Sequence, residues 1–256
     1  MLTLPKLSIE RNKDAEDALV EKTKQWLEAE GTARDPRIHA SDLLDPRKAY
    51  WNRQHKEAMT PRMVGNFFVG KVLHAFFSTT MNDGKGLSLK DTDVGGTWDK
   101  ELGISFSNDW EKPSKTTASP NGIPYELKTS RTVNEQSISD LSSYLEQLCI
   151  YMAAKKSLEG RLVVLRLMAK DAAKGYGTYP QYRAYEIRWT AKDIAAYRKQ
   201  IKATAALLQK ALTSKKPKDI KMLELCRDWK CGKGNCGHWS MCKPEGRYGG
   251  TGKWAK

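Results

Sequence analysis

Tyr125-Glu126-Leu127-Lys128-Thr129, inside the stretch IPYELKTS at residues 123–130, reads as a β-strand. Side chains alternate along a strand, so Glu126 and Lys128 share one face while Tyr125, Leu127 and Thr129 share the other. A carboxylate beside an ammonium suits metal-assisted phosphodiester hydrolysis. The carboxylate holds a divalent ion, which polarises the phosphate and lowers the pKa of a bound water. The lysine orients that water or neutralises charge growing on phosphorus. An acid and a lysine two residues apart also occur on solvated edge strands with no such role, so the flanking sequence has to decide.

A hard cation such as Mg²⁺ calls for more than one carboxylate. GISFSNDWEK supplies Asp109, seventeen residues before Glu126, a separation that lets a hairpin return it to the metal-facing side of the strand. Asp109 is the favoured second acid, Asp99 in GGTWDK is its competitor, and Asp91 and Asp93 stand further behind. On predicted helices, Gln147 and Tyr151 lie four apart and share a face, as do Gly70 and His74. Without further context Tyr151 and His74 are equally readable as core residues and Gln147 as a helix-surface residue.

Working outward, helices are expected over 13–30, from an N-cap at Ser41 through SDLLDPRKAYWNRQH, and over 61–80. The last carries an apolar stripe of Val64, Phe67, Phe68, Val72, Leu73, Phe76 and Phe77. Residues 82–122, rich in Gly, Asp, Ser and Thr, read as hairpins and loops. A helix follows over 137–157, then a buried strand at 161–169, an alternating strand at 181–189, and a long helix capped by Thr190. This order suits a mixed α/β sandwich with a small central sheet.

Cysteine usage is uneven. Cys149 stands alone as a small core residue, whereas Cys226, Cys231, Cys236 and Cys242 fall within seventeen residues in the pattern C-x4-C-x4-C-x5-C. Such a cluster reads as a metal site before it reads as disulfides. Four thiolates serve a 4Fe–4S centre or a tetrahedral Zn²⁺, and His238 could replace one cysteine at zinc. Spacing alone does not separate the two.

The chain has 256 residues and a net charge of +14. Self-repulsion of that size points to an acidic partner, and nucleic acid comes first. No segment approaches the roughly 20 apolar residues of a membrane span. The N-terminal stretch lacks the apolar run of a signal peptide, so an intracellular protein is expected. Basic residues concentrate at 34–53, 199–221 and 230–256, with Trp51, Trp229, Trp239, Tyr248 and Trp254 as aromatic neighbours. Cations interleaved with aromatics suit single-stranded nucleic acid.

Taken in order, Gly70/His74, Asp109, Glu126/Lys128, Gln147/Tyr151 and Cys226 to Cys242 resemble the RecB-like, iron–sulfur branch of the PD-(D/E)xK nucleases, as in CRISPR-associated exonucleases. The resemblance spans residues 41–244. It implies a restriction-endonuclease-like core: a small mixed sheet flanked by helices, with an N-terminal helical part and a C-terminal cysteine-cluster segment. It implies His74, Asp109 and Glu126 as Mg²⁺ or Mn²⁺ ligands, Lys128 as catalytic, and Gln147 and Tyr151 as supports. It tilts the four cysteines toward 4Fe–4S over Zn²⁺. The sequence departs from the pattern in two places. The second acid usually sits in a short G-x-x-D turn, which GTWD at Asp99 fits better than GISFSND, and Asp45 stands where an N-terminal cluster cysteine is expected.

The expected organisation is a helical region at 1–60, a nuclease core at 61–215, a metal-cluster segment at 216–245 and a disordered basic tail at 246–256. The expected activity is that of a Mg²⁺- or Mn²⁺-dependent deoxyribonuclease, an exonuclease on single strands, ends or flaps. The alternative is a non-catalytic nucleic-acid-binding protein with a structural zinc module.

Overall fold

The computed structural model describes residues 13–31, 36–55, 61–81, 97–131, 141–170, 178–226 and 236–242. In chain order these form helix α1 (Lys13–Gly31), a 3₁₀ turn (Ala40–Leu43), α2 (Pro46–Gln54), α3 (Pro61–Met81), β1 (Thr97–Asp99), β2 (Ile104–Phe106) and β3 (Trp110–Lys112). There follow β4 (Ile123–Ser130), α4 (Ser142–Lys155), β5 (Glu159–Lys170), β6 (Thr178–Arg188), α5 (Ala191–Ser214), α6 (Pro217–Lys221) and α7 (Trp239–Cys242). The molecule is mixed α/β, with a small mixed sheet flanked by helices.

The sheet runs β3-β4-β5-β6. β3 and β4 are antiparallel, β4 and β5 parallel, and β5 and β6 antiparallel. Parallel neighbours need a long crossover, and α4 lies in it between β4 and β5. The crossover puts α4 on one sheet face, where Leu148 and Met152 meet Leu162 and Val164. β5 approaches α4 closely because residue 160 is glycine. A Cβ there would stand 2.6 Å from Met152 Sδ and 3.1 Å from Leu148 Cδ1. On the opposite face Leu127 and Val163 pack with Phe77 of α3.

A second core lies behind α4. Ile150, Tyr151 and Ala153 join Ile201, Ala205 and Leu208 of α5, Ala49 and Tyr50 of α2, and Ile104 and Phe106 of β2. Ile38, Ala40 and Leu223 belong to the same cluster, so the packing runs continuously across residues 60 and 215. Arg198 ties its layers together. One guanidinium nitrogen donates to Ala153 O (2.6 Å) and pairs with Asp99 (3.3 Å), and the other pairs with Glu101 (2.6 Å).

Local chemistry explains several boundaries. α5 opens on a capping box in which Asp193 N–H donates to Thr190 Oγ1 (3.2 Å) and Thr190 N–H to Asp193 Oδ2 (3.0 Å). The expected helix from Ser41 is divided. Ser41 lies inside the 3₁₀ turn, and α2 begins only at Pro46, with Asp45 in the N-cap position. Proline lacks an N–H and clashes with the carbonyl four residues back, so it opens a helix and cannot sit one turn inside it. The apolar stripe on α3 is only partly core. Val64 and Phe77 are buried, whereas Phe67, Phe68 and Val72 are exposed. Leu19 of α1 is exposed as well.

Several expectations fall outside the described residues: Asp91 and Asp93, Phe76's packing, the first residues of the 137–157 helix, Cys231 and the basic tail. Among the described residues, no helix is long and apolar enough to cross a membrane.

Candidate active site

The site forms where β3 begins beside β4. In the β3–β4 register Trp110 faces Tyr125, so one step back places Asp109 opposite Glu126. The ladder ends there for a visible reason: the backbone N–H of Leu127 donates to Asp109 Oδ2 (2.6 Å) instead of to a carbonyl. The other oxygen, Oδ1, lies 3.0 Å from His74 Nδ1. α3 thus reaches over from the Leu127 face of the sheet and meets the carboxylate at the sheet's edge.

Glu126 and Lys128 share the opposite face, on the α4 side, as strand alternation requires. Glu126 is 1% exposed. Its Oε1 pairs with Lys128 Nζ, and its Oε2 is buried with no hydrogen-bond partner among the described residues. Lys128 Nζ also lies 5.8 Å from the Tyr144 ring centroid, a cation–π contact.

These placements set the charges. Burial, reinforced by the neighbouring negative charge of Asp109, pushes the Glu126 carboxyl up to about 8 although Lys128 pulls the other way. Burial acts to lower the pKa of Lys128, but the charges of Glu126 and Asp109 outweigh it and the ammonium is held more firmly. Burial likewise disfavours the His74 cation, and the hydrogen bond and charge of Asp109 overcome it, so His74 is raised. Four titratable side chains from one helix and two neighbouring strands therefore act on one another.

Asp99 lies elsewhere. Its Oδ1 accepts from the backbone N–H groups of Glu101 (2.9 Å) and Leu102 (3.0 Å), closing the β1–β2 turn, and its Oδ2 faces Arg198. Gln147 Nε2 donates to the Tyr151 hydroxyl (2.7 Å), and Tyr151 is buried beside Phe106 in the core behind α4. This pair braces the helix that carries Tyr144. Sequence reasoning passed over Tyr144, although a signal existed: Tyr144, Gln147 and Tyr151 follow the i, i+3, i+7 spacing of one helix face.

Near the C-terminal end, Cys226 and Cys236 are buried, Cys242 is half-buried, and Cys231 lies outside the described residues. His238 is buried with its Nε2 2.5 Å from Asn52 Oδ1, which fastens this segment to α2. Arg47 of α2 adds hydrogen bonds to the carbonyls of Lys221 (2.6 Å) and Leu223 (2.7 Å). Cys149 is half-buried rather than a core residue, and its thiol is pushed up to about 11 by burial and by Glu146. Among the described residues, no three His, Cys, Asp or Glu side chains are gathered closely enough to hold a metal ion as they stand.

No family model matches the chain, and no curated protein matches it. A solved structure described as that of SSO0001 is similar to it, with a TM-score of 0.51 and 18% identity, over 89% of this chain and 95% of that one. At that identity the likeness concerns the fold alone.

Proposed function

We propose that the protein is a metal-dependent deoxyribonuclease with a restriction-endonuclease-like core, acting on single strands, ends or flaps. The observation that carries this reading is the Glu126 carboxyl. It is buried, raised to about 8, has one oxygen without a hydrogen-bond partner among the described residues, and lies beside a second carboxylate. Leaving a carboxylate so placed is costly unless a cation rewards it. His74, Asp109 and Glu126 offer the nitrogen and oxygen donors that Mg²⁺ or Mn²⁺ accept; this donor chemistry fits such an ion, whose binding would draw the three side chains closer together than they stand.

A divalent ion held by these three side chains would polarise the scissile phosphate and acidify a bound water. The chain's own residues do the rest. Leu127 N–H fixes the Asp109 carboxylate, and His74 fixes its other oxygen. Lys128, kept protonated and steadied by the Tyr144 ring, supplies positive charge where the phosphorane develops. The Gln147–Tyr151 hydrogen bond braces the helix that carries Tyr144.

At the C-terminal end, Cys226, Cys231, Cys236 and Cys242 are proposed to hold one metal centre, 4Fe–4S in preference to Zn²⁺. Burial of Cys226 and Cys236 in a segment already fastened to α2 supports it. His238 Nε2 is engaged by Asn52, which weighs against that nitrogen serving as a zinc donor.

Labelled single- and double-stranded DNA incubated with Mn²⁺ should give products that EDTA prevents. Lys128→Ala should lower the rate by at least about a hundredfold, the scale of losing one transition-state charge contact, while keeping most DNA affinity. Wild-type binding without cleavage would favour the non-catalytic reading, and a variant that cuts at the wild-type rate would remove Lys128 from the chemistry.

A further inference from the structure

Phe67, Phe68 and Val72 form an apolar patch on the outward side of α3, 52%, 43% and 39% exposed. The patch is more than loose hydrophobic surface. Phe68 meets Trp26 of α1 edge to face (6.1 Å), and Lys71 Nζ lies 5.8 Å from the same Trp26 ring. Aromatic faces and a cation are therefore held next to each other by two packed helices.

Helical phase connects the patch to the candidate active site. Phe67, Lys71 and His74 occupy positions i, i+4 and i+7 and share one face of α3. At 1.5 Å per residue, Phe67 stands about 10 Å along the axis from His74, or about three stacked nucleotide steps. Between them sits Gly70, where a Cβ would meet nothing within 4 Å, so the helix surface there is open.

We propose that this face of α3 is a single-strand subsite. A base stacks on Phe67, the adjoining phosphate meets Lys71, and the strand passes over Gly70 toward His74 and Asp109. The proposal rests on the nuclease reading above and adds how a strand is presented to it. Charge supports the choice of partner: the chain carries +14 overall, and a nucleic-acid strand alternates phosphates with flat apolar faces as this surface alternates a cation with aromatics. Paired bases hide those faces inside the duplex except at its ends, so a blunt duplex offers Phe67 far fewer faces to stack on than a single strand does.

The test is fluorescence anisotropy of labelled oligo(dT) and a blunt duplex, in EDTA, with wild type, Phe67→Ala and Phe67→Tyr. Phe67 is exposed, so neither substitution disturbs a core. Phe67→Ala should weaken oligo(dT) binding about tenfold, within the range for one lost base–aromatic stack, with duplex binding unchanged and Phe67→Tyr restoring affinity. Equal oligo(dT) affinity for Phe67→Ala and wild type, while wild type still cuts the oligonucleotide in Mn²⁺, overturns this inference and leaves the nuclease reading intact. Loss of both ligands together also overturns it. So does a wild-type dimer in light scattering that Phe67→Ala splits into monomers, since the patch would then cover a second copy. Wild type that neither binds nor cuts overturns both readings.

Discussion

Asp109 and Asp99 are both aspartates near short strands, yet their neighbours assign them different work. Asp109 receives a backbone N–H and His74 beside Glu126, whereas Asp99 closes a turn and pairs with Arg198. Asp109→Asn keeps the shape but loses the anion, so Mn²⁺-dependent cleavage should vanish. Asp99→Asn should leave cleavage near wild type and cost about 1 kcal/mol of stability, read by chemical denaturation. The opposite pattern would move the second ligand to Asp99. Glu126 gives a prediction in pH. Its folded pKa, about 8, lies above the ordinary value of 4.5, so the folded state binds the extra proton. Its stabilising share is whole below 4.5 and is lost as pH rises through 8. His74, also raised, loses its share in the same direction. In EDTA, the stability difference between pH 6 and pH 9 should therefore shrink in Glu126→Gln. With Mn²⁺ the sense reverses, because binding must displace the Glu126 proton: the thermal shift produced by Mn²⁺ should grow from pH 6 to pH 9. A Mn²⁺ shift independent of pH would take Glu126 out of the ligand set.

At the scale of elements, α4 and β5 set the depth of the site, and Gly160 sets their separation. Gly160→Val would drive methyl groups into Met152 and Leu148, both fully buried, and overpacking of this kind costs about 1–3 kcal/mol. Thermal denaturation should show the loss, and an unchanged melting temperature would mean that α4 has room to withdraw. Most elements were legible in the sequence because their signals are local. The Thr190 capping box, the 123–130 strand and the alternation of 181–188 lie within one window. The Asp109–Glu126 juxtaposition was legible through spacing alone, since a hairpin of that length can return on itself. Failures came where tertiary context decides. Phe67 and Phe68 belong to an apolar stripe, and such a stripe normally faces a core; nothing in the sequence reveals that α1 covers only part of α3. The helical spacing places Tyr144 on the face of Gln147 and Tyr151, but only the fold brings Lys128 to its ring.

For the molecule as a whole, the C-terminal segment is held to α2 by Arg47 on the carbonyls of Lys221 and Leu223 and by Asn52 on His238. A metal centre on Cys226, Cys231, Cys236 and Cys242 would add to these contacts, not create them. Cys226→Ser should therefore lose the centre and loosen residues 236–242 to hydrogen exchange, while the sheet and its carboxylates persist. Anaerobically purified wild type should carry about four irons per chain. One tightly held zinc would replace the iron–sulfur assignment, and a metal-free protein would end both.

The parallel pairing of β4 with β5 has a consequence in time. Translation delivers His74, Asp109, Glu126 and Lys128 well before β5 and β6, and those strands complete the sheet that buries Glu126. Until residue 188 has emerged, the growing chain carries all four charged groups yet lacks the low-dielectric setting that couples them. A nascent chain of the proposed enzyme would stay inert beside nucleic acid on the ribosome, and its cutting power would arrive only once β5 and β6 had followed the catalytic residues out.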